Sequence, residues 1–376
     1  MTAPIPISEA GRRHRRLRSA MAEAGLDGLL AFAPGWRREN VRYLAGAPIA
    51  GELAFAYLPA DGDPTAFFVH ESDEREARGA GLVADIRRIS VGDLGPLEDR
   101  IAGDRGGRLG IAHAELVPVG VRRALERAVS GAELVSATTL LDAVRLVKTP
   151  WELEQLRAAA ALCDEGWSAF LGALRVGIAE HEIVAAVEAA LKGRGAEDNF
   201  MIIASGGEEV RGMTPPTQRR VQAGDLVRTE LTPQLNGYWA QICRTAVIGP
   251  PSAGQRASFE LFEEATAAGL AAVRAGVTAH DVALAENDVF RRHGYGEYCT
   301  SQHTRVRGHG HGLHFDEVPI MEGVETVLEA DAVVIVHPNT YTPLAGYHVH
   351  GDPVVVTADG YEPLLGAPRE LHEVPA

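Results

Sequence analysis

The chain has 376 residues, a hydrophobic content of 46% and a formal net charge of −15. This length predicts two domains, or one large and one small domain, with enough apolar residues for a full core. The acidic balance excludes nucleic acid as a partner, because phosphate binding needs a basic surface. No run of 18 apolar residues occurs, so the sequence predicts no membrane span and no membrane partner.

The N-terminal segment and the cysteines indicate a cytoplasmic protein. The first residues carry several arginines but no apolar stretch of the kind found in secretory signals. The three cysteines, Cys163, Cys243 and Cys299, are far apart in the sequence. We therefore expect buried thiols in a reducing compartment, not a disulfide framework or a cysteine zinc site.

The first part of the chain alternates helical and strand patterns, which predicts an α/β domain over residues 1–145. Apolar residues at helical spacing predict a first helix over residues 8–25, where Gly25 marks its end. Apolar runs predict buried strands, and a second amphipathic pattern predicts a later helix; the strands are at 27–33, 53–59 and 65–70, and the helix at 117–129.

The remainder, residues 146–376, predicts helices packed on an antiparallel sheet, which is an α+β layout. The first helix has Thr149 as a plausible N-cap and Pro150 at its first position. Asn236-Gly237 between two apolar runs is a strong signal for a tight hairpin. The predicted helices are 149–174, 179–196, about 254–275 and about 279–293, and the predicted strands are 225–235, 238–248, 332–338 and 347–357.

Seven of the fourteen histidines fall between positions 303 and 350; they are His303, His309, His311, His314, His337, His348 and His350. A single histidine is more often a surface or hydrogen-bonded core residue than a ligand, but the clustering calls for a cause. Side chains alternate faces along a strand, so His348 and His350 should share a face. A two-residue hairpin turn pairs position 232 with 241, which places Glu230 and Gln241 on one face. Polar groups under a sheet are costly unless they meet a partner.

Four blocks, "KTPWELEQLRAAAALCDEG", "GDLVRTELTPQLNGYWAQICRTAVIG", "GHGHGLHFDEVP" and "TADGYEPL", resemble successive blocks of the pita-bread fold family. That family contains methionine aminopeptidase, aminopeptidase P, prolidase and creatinase. The segment "RRLRSAMAEAGLDGLLAFAPGWRRENVRYLAG" is similar to the creatinase/prolidase N-terminal domain. The resemblance implies an α/β N-terminal domain, a C-terminal domain of two pseudo-symmetric halves around a curved antiparallel sheet, and a homodimer.

The resemblance also implies where a metal site would lie. Family metallopeptidases bind two divalent ions through two Asp, one His and two Glu, and this chain departs from that set at most positions. The matching positions are Glu230, Gln241, His309, His337 and His350. Two further histidine positions of the family fall on Met213 and Asp316.

These replacements suggest one metal ion in place of two. Gln241 and His350 cannot bridge two ions, whereas three imidazoles and one carboxylate suit a single divalent ion. We expect Glu230, His309, His337 and His350 to hold it, with Fe(II) favoured and Mn(II), Ni(II) or Zn(II) as alternatives. A metal-free pocket is the other interpretation.

The loss of the bridging positions leads us to expect a non-proteolytic enzyme. Our hypothesis is an iron-dependent oxidase or oxygenase acting on a small, polar, amino-acid-derived substrate. Two alternatives stay open: a creatinase-like C–N or C–X hydrolase or lyase with Glu230 or Asp316 as base, and a non-catalytic binding protein. The candidate catalytic residues are Asp316 and Gln241, and the candidate substrate-binding residues are Arg211, Met213, Arg305, Arg307 and His348.

Overall fold

A computed structural model of the chain describes residues 5–102, 107–129 and 132–376. The chain forms two compact units, the first running to Arg145 and the second beginning at Leu146. Within these described ranges, no helix is long and apolar enough to cross a membrane.

The first unit is a mixed six-stranded sheet with helices. Its strands are β1 (Gly28–Pro34), β2 (Leu53–Pro59), β3 (Thr65–Phe68), β4 (Asp85–Arg88), β5 (Arg108–Ala112) and β6 (Glu133–Ser136). Its helices are α1 (Ile7–Glu23), α2 (Glu39–Ala45), α3 (Glu71–Ala80), α4 (Gly95–Ala102), α5 (Val119–Ala128) and α6 (Thr138–Leu146). The strand order is β4-β3-β2-β1-β5-β6, in which β1 is antiparallel to β2 and parallel to β5. Both β1 and β2 are buried nearly throughout, as expected for continuous apolar strands covered on both faces.

The second unit contains four long helices, α7 (Pro150–Ala173), α8 (Glu180–Gly193), α9 (Ala253–Ala272) and α10 (Ala279–Arg292). The predicted cap at Thr149 is present: its hydroxyl accepts a hydrogen bond from the Glu152 amide at 3.2 Å, and the Glu152 carboxylate accepts one from the Thr149 amide. This reciprocal pairing satisfies two amides that a helix start leaves without partners.

The described strands of the second unit form three sheets, two large and one of two strands. They are β7 (Asp198–Gly206), β8 (Leu226–Leu235), β9 (Tyr238–Trp239), β10 (Ile242–Ile248), β11 (Gly308–Gly310), β12 (Pro319–Ile320), β13 (Val333–Val336), β14 (Thr340–Thr342), β15 (Gly346–His348), β16 (Asp352–Val356), β17 (Tyr361–Pro363) and β18 (His372–Val374). One large sheet has the order β18-β10-β8-β7, with β9 beside β8, and the other has the order β12-β11-β13-β16-β17. The small sheet consists of β14 and β15. A helix pair precedes each large sheet, so the unit consists of two similar halves, and a bridge between Cys243 and Gly351 links them.

The hairpin between β8 and β10 has the predicted turn and register. Asn236 and Gly237 adopt positive φ angles of 53° and 87°, which is the geometry that a two-residue hairpin turn demands. Leu235 pairs with Tyr238, and Leu231 pairs with Ile242. This register brings the side chains of Glu230 and Gln241 together, as expected.

The predicted strand at 347–357 is wrong in one respect, because it is divided between β15 and β16. His350 lies in the break between them. His348 and His350 do point to the same side, but that side faces α9. The His348 ring stacks on Phe262 with 4.7 Å between ring centroids, and the His350 ring lies edge-on to Phe259 at 5.3 Å.

Candidate functional site

A cavity of about 420 Å³ lies in the second unit, where the two halves meet. Its polar lining comes from strands or segments next to strands of both halves. Apolar side chains form a further wall of the cavity, and an arginine and an aspartate are also present. The polar lining includes Glu230, His309, His337, Asn339, Arg305 and Asp316, and the apolar lining includes Phe200, Ile202, Met213 and Phe315.

Glu230, on β8, is the carboxylate at the centre of this lining. One carboxylate oxygen accepts a hydrogen bond from the Asn339 amide at 2.8 Å, and the other accepts one from the Gln241 amide at 3.1 Å. Burial raises the pKa of Glu230 above its ordinary value, although the bond from Asn339, the charge of Arg305 and the bond from Gln241 oppose this shift. The carboxylate is therefore both fixed in orientation and poised to take up a proton.

Two imidazoles of the cavity lie close together. The rings of His309 on β11 and His337 after β13 are 5.1 Å apart between centroids. His309 Nδ1 lies 3.3 Å from the carbonyl oxygen of Gly310, so a proton on Nδ1 leaves the Nε2 lone pair free. Among the described residues, neither ring nitrogen of His337 has a hydrogen-bond partner, and burial lowers the pKa of both His309 and His337. Burial thus favours the neutral form of both imidazoles, which can offer a lone pair.

His311 lies beside His309 and outside the cavity lining. Its ring centroid is 4.9 Å from that of His309, and neither of its buried ring nitrogens has a partner. Burial holds the pKa of His311 well below its ordinary value, with the neighbouring imidazoles adding to the effect.

Arg305 and Asp316 form an ion pair of 2.9 Å, with 65% and 25% of their side chains exposed. An exposed pair of this kind contributes little to stability, about 0 to 1 kcal/mol. Arg305 can therefore exchange Asp316 for a carboxylate of a bound molecule at small cost. Asp316, a candidate catalytic residue, lines the cavity, and its ion-pair partner is Arg305.

His350 and His348, predicted as a metal ligand and a substrate contact, do not line this cavity. His350 Nε2 lies 2.6 Å from a carboxylate oxygen of Glu263 on α9. His348 Nδ1 lies 3.3 Å from the hydroxyl of Ser258 in the interior. The backbone amide of His350 still touches the site indirectly, because it donates to Asn339, whose side chain donates to Glu230.

The remaining predicted anchors are distributed over several places. Met213 and Arg305 line the cavity. The guanidinium of Arg211 lies 3.8 Å above the ring of Tyr341, and Arg307 is buried behind the cavity wall. Gln241 does not line the cavity but orients Glu230.

Sequence reasoning missed Asn339 and the apolar wall. Asn339 follows His337-Pro338, and its role as a donor to Glu230 becomes visible only when the two sheets are assembled. Phe200 and Ile202 could have been found from the strand pattern: β7 pairs Phe200 with Thr232 and Ile202 with Glu230, so both lie on the face of the carboxylate. The missing information was that β7 is the neighbour of β8.

A sequence profile described as Metallopeptidase family M24 matches residues 154–358, and one described as Creatinase/Prolidase N-terminal domain matches residues 13–147. The chain belongs to metallopeptidase family M24. The Xaa-Pro dipeptidase of Pyrococcus furiosus is 28% identical over 363 residues, which cover 96% of this chain and 99% of that protein. The putative dipeptidase YkvY of Bacillus subtilis is 30% identical over 368 residues, which cover 96% and 99%.

Solved structures agree with this assignment. Dipeptidase PepE from Mycobacterium ulcerans superimposes with a TM-score of 0.85 at 28% identity, covering 100% of both chains. The prolidase from Pyrococcus horikoshii gives a TM-score of 0.84 at 24% identity, covering 96% of this chain and 99% of that one. The predicted two-domain architecture with a pita-bread C-terminal domain is confirmed.

The expectation of a non-proteolytic, iron-dependent oxidase is wrong. The M24 relatives over nearly the whole chain are named Xaa-Pro dipeptidases or dipeptidases, which points to peptide hydrolysis. Changed residues at the ligand positions therefore do not by themselves indicate a different reaction. Family membership supports an enzyme of the metallopeptidase class, and nothing in it supports an oxidoreductase or iron.

Membership in a metallopeptidase family supports a metal ion, so the donor set must be compared with such a centre. The two-ion arrangement implied by the resemblance does not fit, because the resemblance puts Gln241 and His350 at the bridging positions, and the structure pairs His350 with Glu263. Across the described ranges, no three His, Cys, Asp or Glu side chains are arranged to hold one ion. The side chains that could bind a metal ion are the neighbouring imidazoles of His309 and His337, since the buried nitrogens of His337 have no partner among the described residues.

Proposed function

We propose that this chain hydrolyses the amide bond of dipeptide-sized substrates in the 420 Å³ cavity. One cavity collects Glu230, His309 and His337 beside an apolar wall, and this observation carries the proposal. A volume of this size suits a small ligand of two residues. The relatives named Xaa-Pro dipeptidase make Xaa-Pro dipeptides the first substrates to try.

Each of these residues has a separate role in the hydrolysis. Glu230, with a pKa raised by burial, takes a proton from the attacking water and returns it to the leaving amine. Its two amide partners keep the carboxylate aimed at the substrate. Arg305 binds the substrate carboxylate, because a guanidinium pairs well with it, and Phe200 and Phe315 contact apolar side chains.

We further propose that a single divalent ion, if bound, is held by the imidazoles of His309 and His337, while Glu230 stays free to act as the base. Such an ion supplies Lewis-acid polarisation of the scissile carbonyl. His350 drops out of the predicted set, because its pairing with Glu263 holds it outside the cavity lining. The homodimer implied by the resemblance stays a prediction.

The test is release of free amino acid from a dipeptide panel that includes Xaa-Pro substrates, with Mn²⁺, Co²⁺ or Zn²⁺ supplied. We expect Glu230→Gln to lower kcat/KM by about 10²–10⁴, the range for loss of a general base. Glu260→Gln, at an exposed position of α9, is the matched control and should be unchanged. Metal content of the same preparations should be about one ion per chain and should fall in His337→Ala. Absence of hydrolysis across the panel, or full activity of Glu230→Gln, would contradict the proposal.

A further inference from the structure

A second cavity, of about 270 Å³, lies next to the first in the same unit. Thr304, Arg305 and Val306 line both cavities, so this short segment forms the wall between them. Nothing in the proposed hydrolysis uses the second cavity. Its lining is unusual in containing three arginines, Arg291, Arg305 and Arg307, against a single carboxylate, Glu322.

Of the three arginines, Arg307 has the environment that most clearly indicates an anionic ligand. It is 2% exposed. Its guanidinium donates to the side-chain oxygen of Asn287 at 2.5 Å and to the carbonyl of Pro338 at 2.8 Å, and it lies over the ring of Phe290. Within the described ranges, one terminal nitrogen is buried without a hydrogen-bond partner, and the neighbouring Cys299 carries only a neutral thiol. These described partners are all neutral, and a buried charge is costly unless an opposite charge meets it.

The acidic groups nearby do not neutralise this charge. The Glu286 carboxyl, which interacts with Arg307 through space, has no hydrogen-bond partner among the described residues. Burial raises the pKa of this carboxyl well above its ordinary value, which favours the uncharged form. Glu322 is already engaged, since one of its oxygens accepts from Arg291 and Asn287, both at 2.6 Å. Arg291 is also paired with Asp288, and Arg305 with Asp316. Among the described residues, Arg307 is therefore the lining arginine whose charge no ion-paired carboxylate meets.

The other lining groups suit an oxyanion. Thr300, Ser301 and Thr304 contribute hydroxyl groups to the same cavity, and hydroxyls donate to anionic oxygens. Guanidinium groups bind carboxylate and phosphate oxygens with charge-assisted hydrogen bonds. The volume corresponds to several water molecules, which is enough for a small oxyanion and its hydration.

We propose that the cavity bounded by Arg291, Arg305 and Arg307 is a binding site for a small oxyanion of the carboxylate or phosphate class, separate from the substrate cavity. The spare nitrogen of Arg307 provides the buried charge, Arg291 and Arg305 provide the outer charges, and the hydroxyls complete the donor set. Because Arg305 belongs to both cavities, the anion can be a free ion or an acidic group of a molecule that occupies the first cavity.

The experiment titrates inorganic phosphate into the full chain by calorimetry, at constant ionic strength with chloride as the competing ion. We expect saturable binding by the wild type. Arg291→Ala should weaken it about tenfold, the effect of one charge-assisted hydrogen bond. Arg292→Ala, the neighbouring arginine that pairs with Glu264 outside the cavity, should bind like the wild type.

A second pair of variants tests the site without removing an arginine. Ser301→Asp places a negative charge in the cavity and should abolish phosphate binding, whereas Ser72→Asp in the first unit should not. Absence of saturable phosphate binding by the wild type overturns the proposal. Binding by Arg291→Ala and Ser301→Asp that is as tight as that of the wild type overturns it as well. If added phosphate raises the KM for a dipeptide, the natural occupant of the cavity is an anionic group of the substrate. If the KM is unchanged, the natural occupant is a free anion. The titration requires no hydrolysis, so the two proposals fail independently.

Discussion

At the scale of single residues, Glu286 on α10 combines full burial with a carboxyl group that has no hydrogen-bond partner. Burial raises the pKa of this carboxyl well above its ordinary value, and the charge of Arg307 opposes the shift. The folded state therefore holds a proton that the unfolded state releases. This makes the group a source of pH-dependent stability that is independent of any reaction in the cavities.

The predicted consequence is a loss of stability as pH rises. Above the unfolded pKa the unfolded state binds fewer protons than the folded state, so the free energy of unfolding falls with pH, by at most about 1.4 kcal/mol per pH unit for one proton. Glu286→Gln keeps the shape but cannot ionise, so it should be more stable than the wild type at pH 8 and similar at pH 4. Guanidinium unfolding at several pH values measures this, and Glu260→Gln on the surface should follow the wild type. Parallel curves for wild type and Glu286→Gln would contradict the prediction.

Residue-level prediction from sequence succeeded where a contact lies within one hairpin and failed where it crosses elements. The proximity of Glu230 and Gln241 follows from one turn and strand alternation. The environment of His350 does not, because its partner, Glu263, belongs to a helix nearly ninety positions earlier in the chain. The sequence therefore showed which type of residue stands at each position. The partner of a side chain on another element became known only from the folded structure.

At the scale of elements, the close pairing of β11 with β13 requires a glycine at position 308. This glycine has a φ of 154°, and a Cβ atom added there would stand 2.1 Å from the carbonyl oxygen of Ile335 on β13. A carbonyl held in the ladder between β11 and β13 cannot move away cheaply. The close approach of the two strands at this point is what places His309 beside His337.

Gly308→Ala should therefore lower both stability and hydrolysis. Overpacking at a site of this kind costs about 1–3 kcal/mol, and the displaced strand should carry His309 away from its position in the cavity. Gly360→Ala, where an added Cβ would meet nothing within 4 Å, is the matched control and should cost less than about 0.5 kcal/mol. Thermal unfolding and the dipeptide assay measure the two effects. Normal activity of Gly308→Ala would show that the close approach does not position the histidine.

Element prediction was most successful for long periodic or capped segments. The helix capped by Thr149 and the hairpin at Asn236-Gly237 were predicted with nearly correct limits, because their signals are local. The division of the predicted strand at 347–357 was not foreseen. The break at Gly351 is imposed by contact with β13, since a Cβ there would stand 2.4 Å from the Val336 carbonyl oxygen.

At the scale of the whole molecule, each unit has a core of its own. Phe55 is buried in the apolar cluster of the first unit, and Phe170 in a cluster of the second, both with no exposed surface. All residues lining the two cavities come from the second unit. Destabilising the core of the second unit should therefore affect the two cavities more than destabilising the core of the first unit.

Phe55→Ala and Phe170→Ala form a matched pair, since each removes a buried ring and should destabilise its own unit by about 3–5 kcal/mol. We expect Phe170→Ala to lower the temperature at which phosphate binding is lost, because the second unit holds that site. Phe55→Ala should shift a calorimetric unfolding transition while leaving the temperature of binding loss nearly unchanged. Equal shifts of binding loss in both variants would show that the two cores unfold as one cooperative body, and the site would then owe its stability to the entire chain.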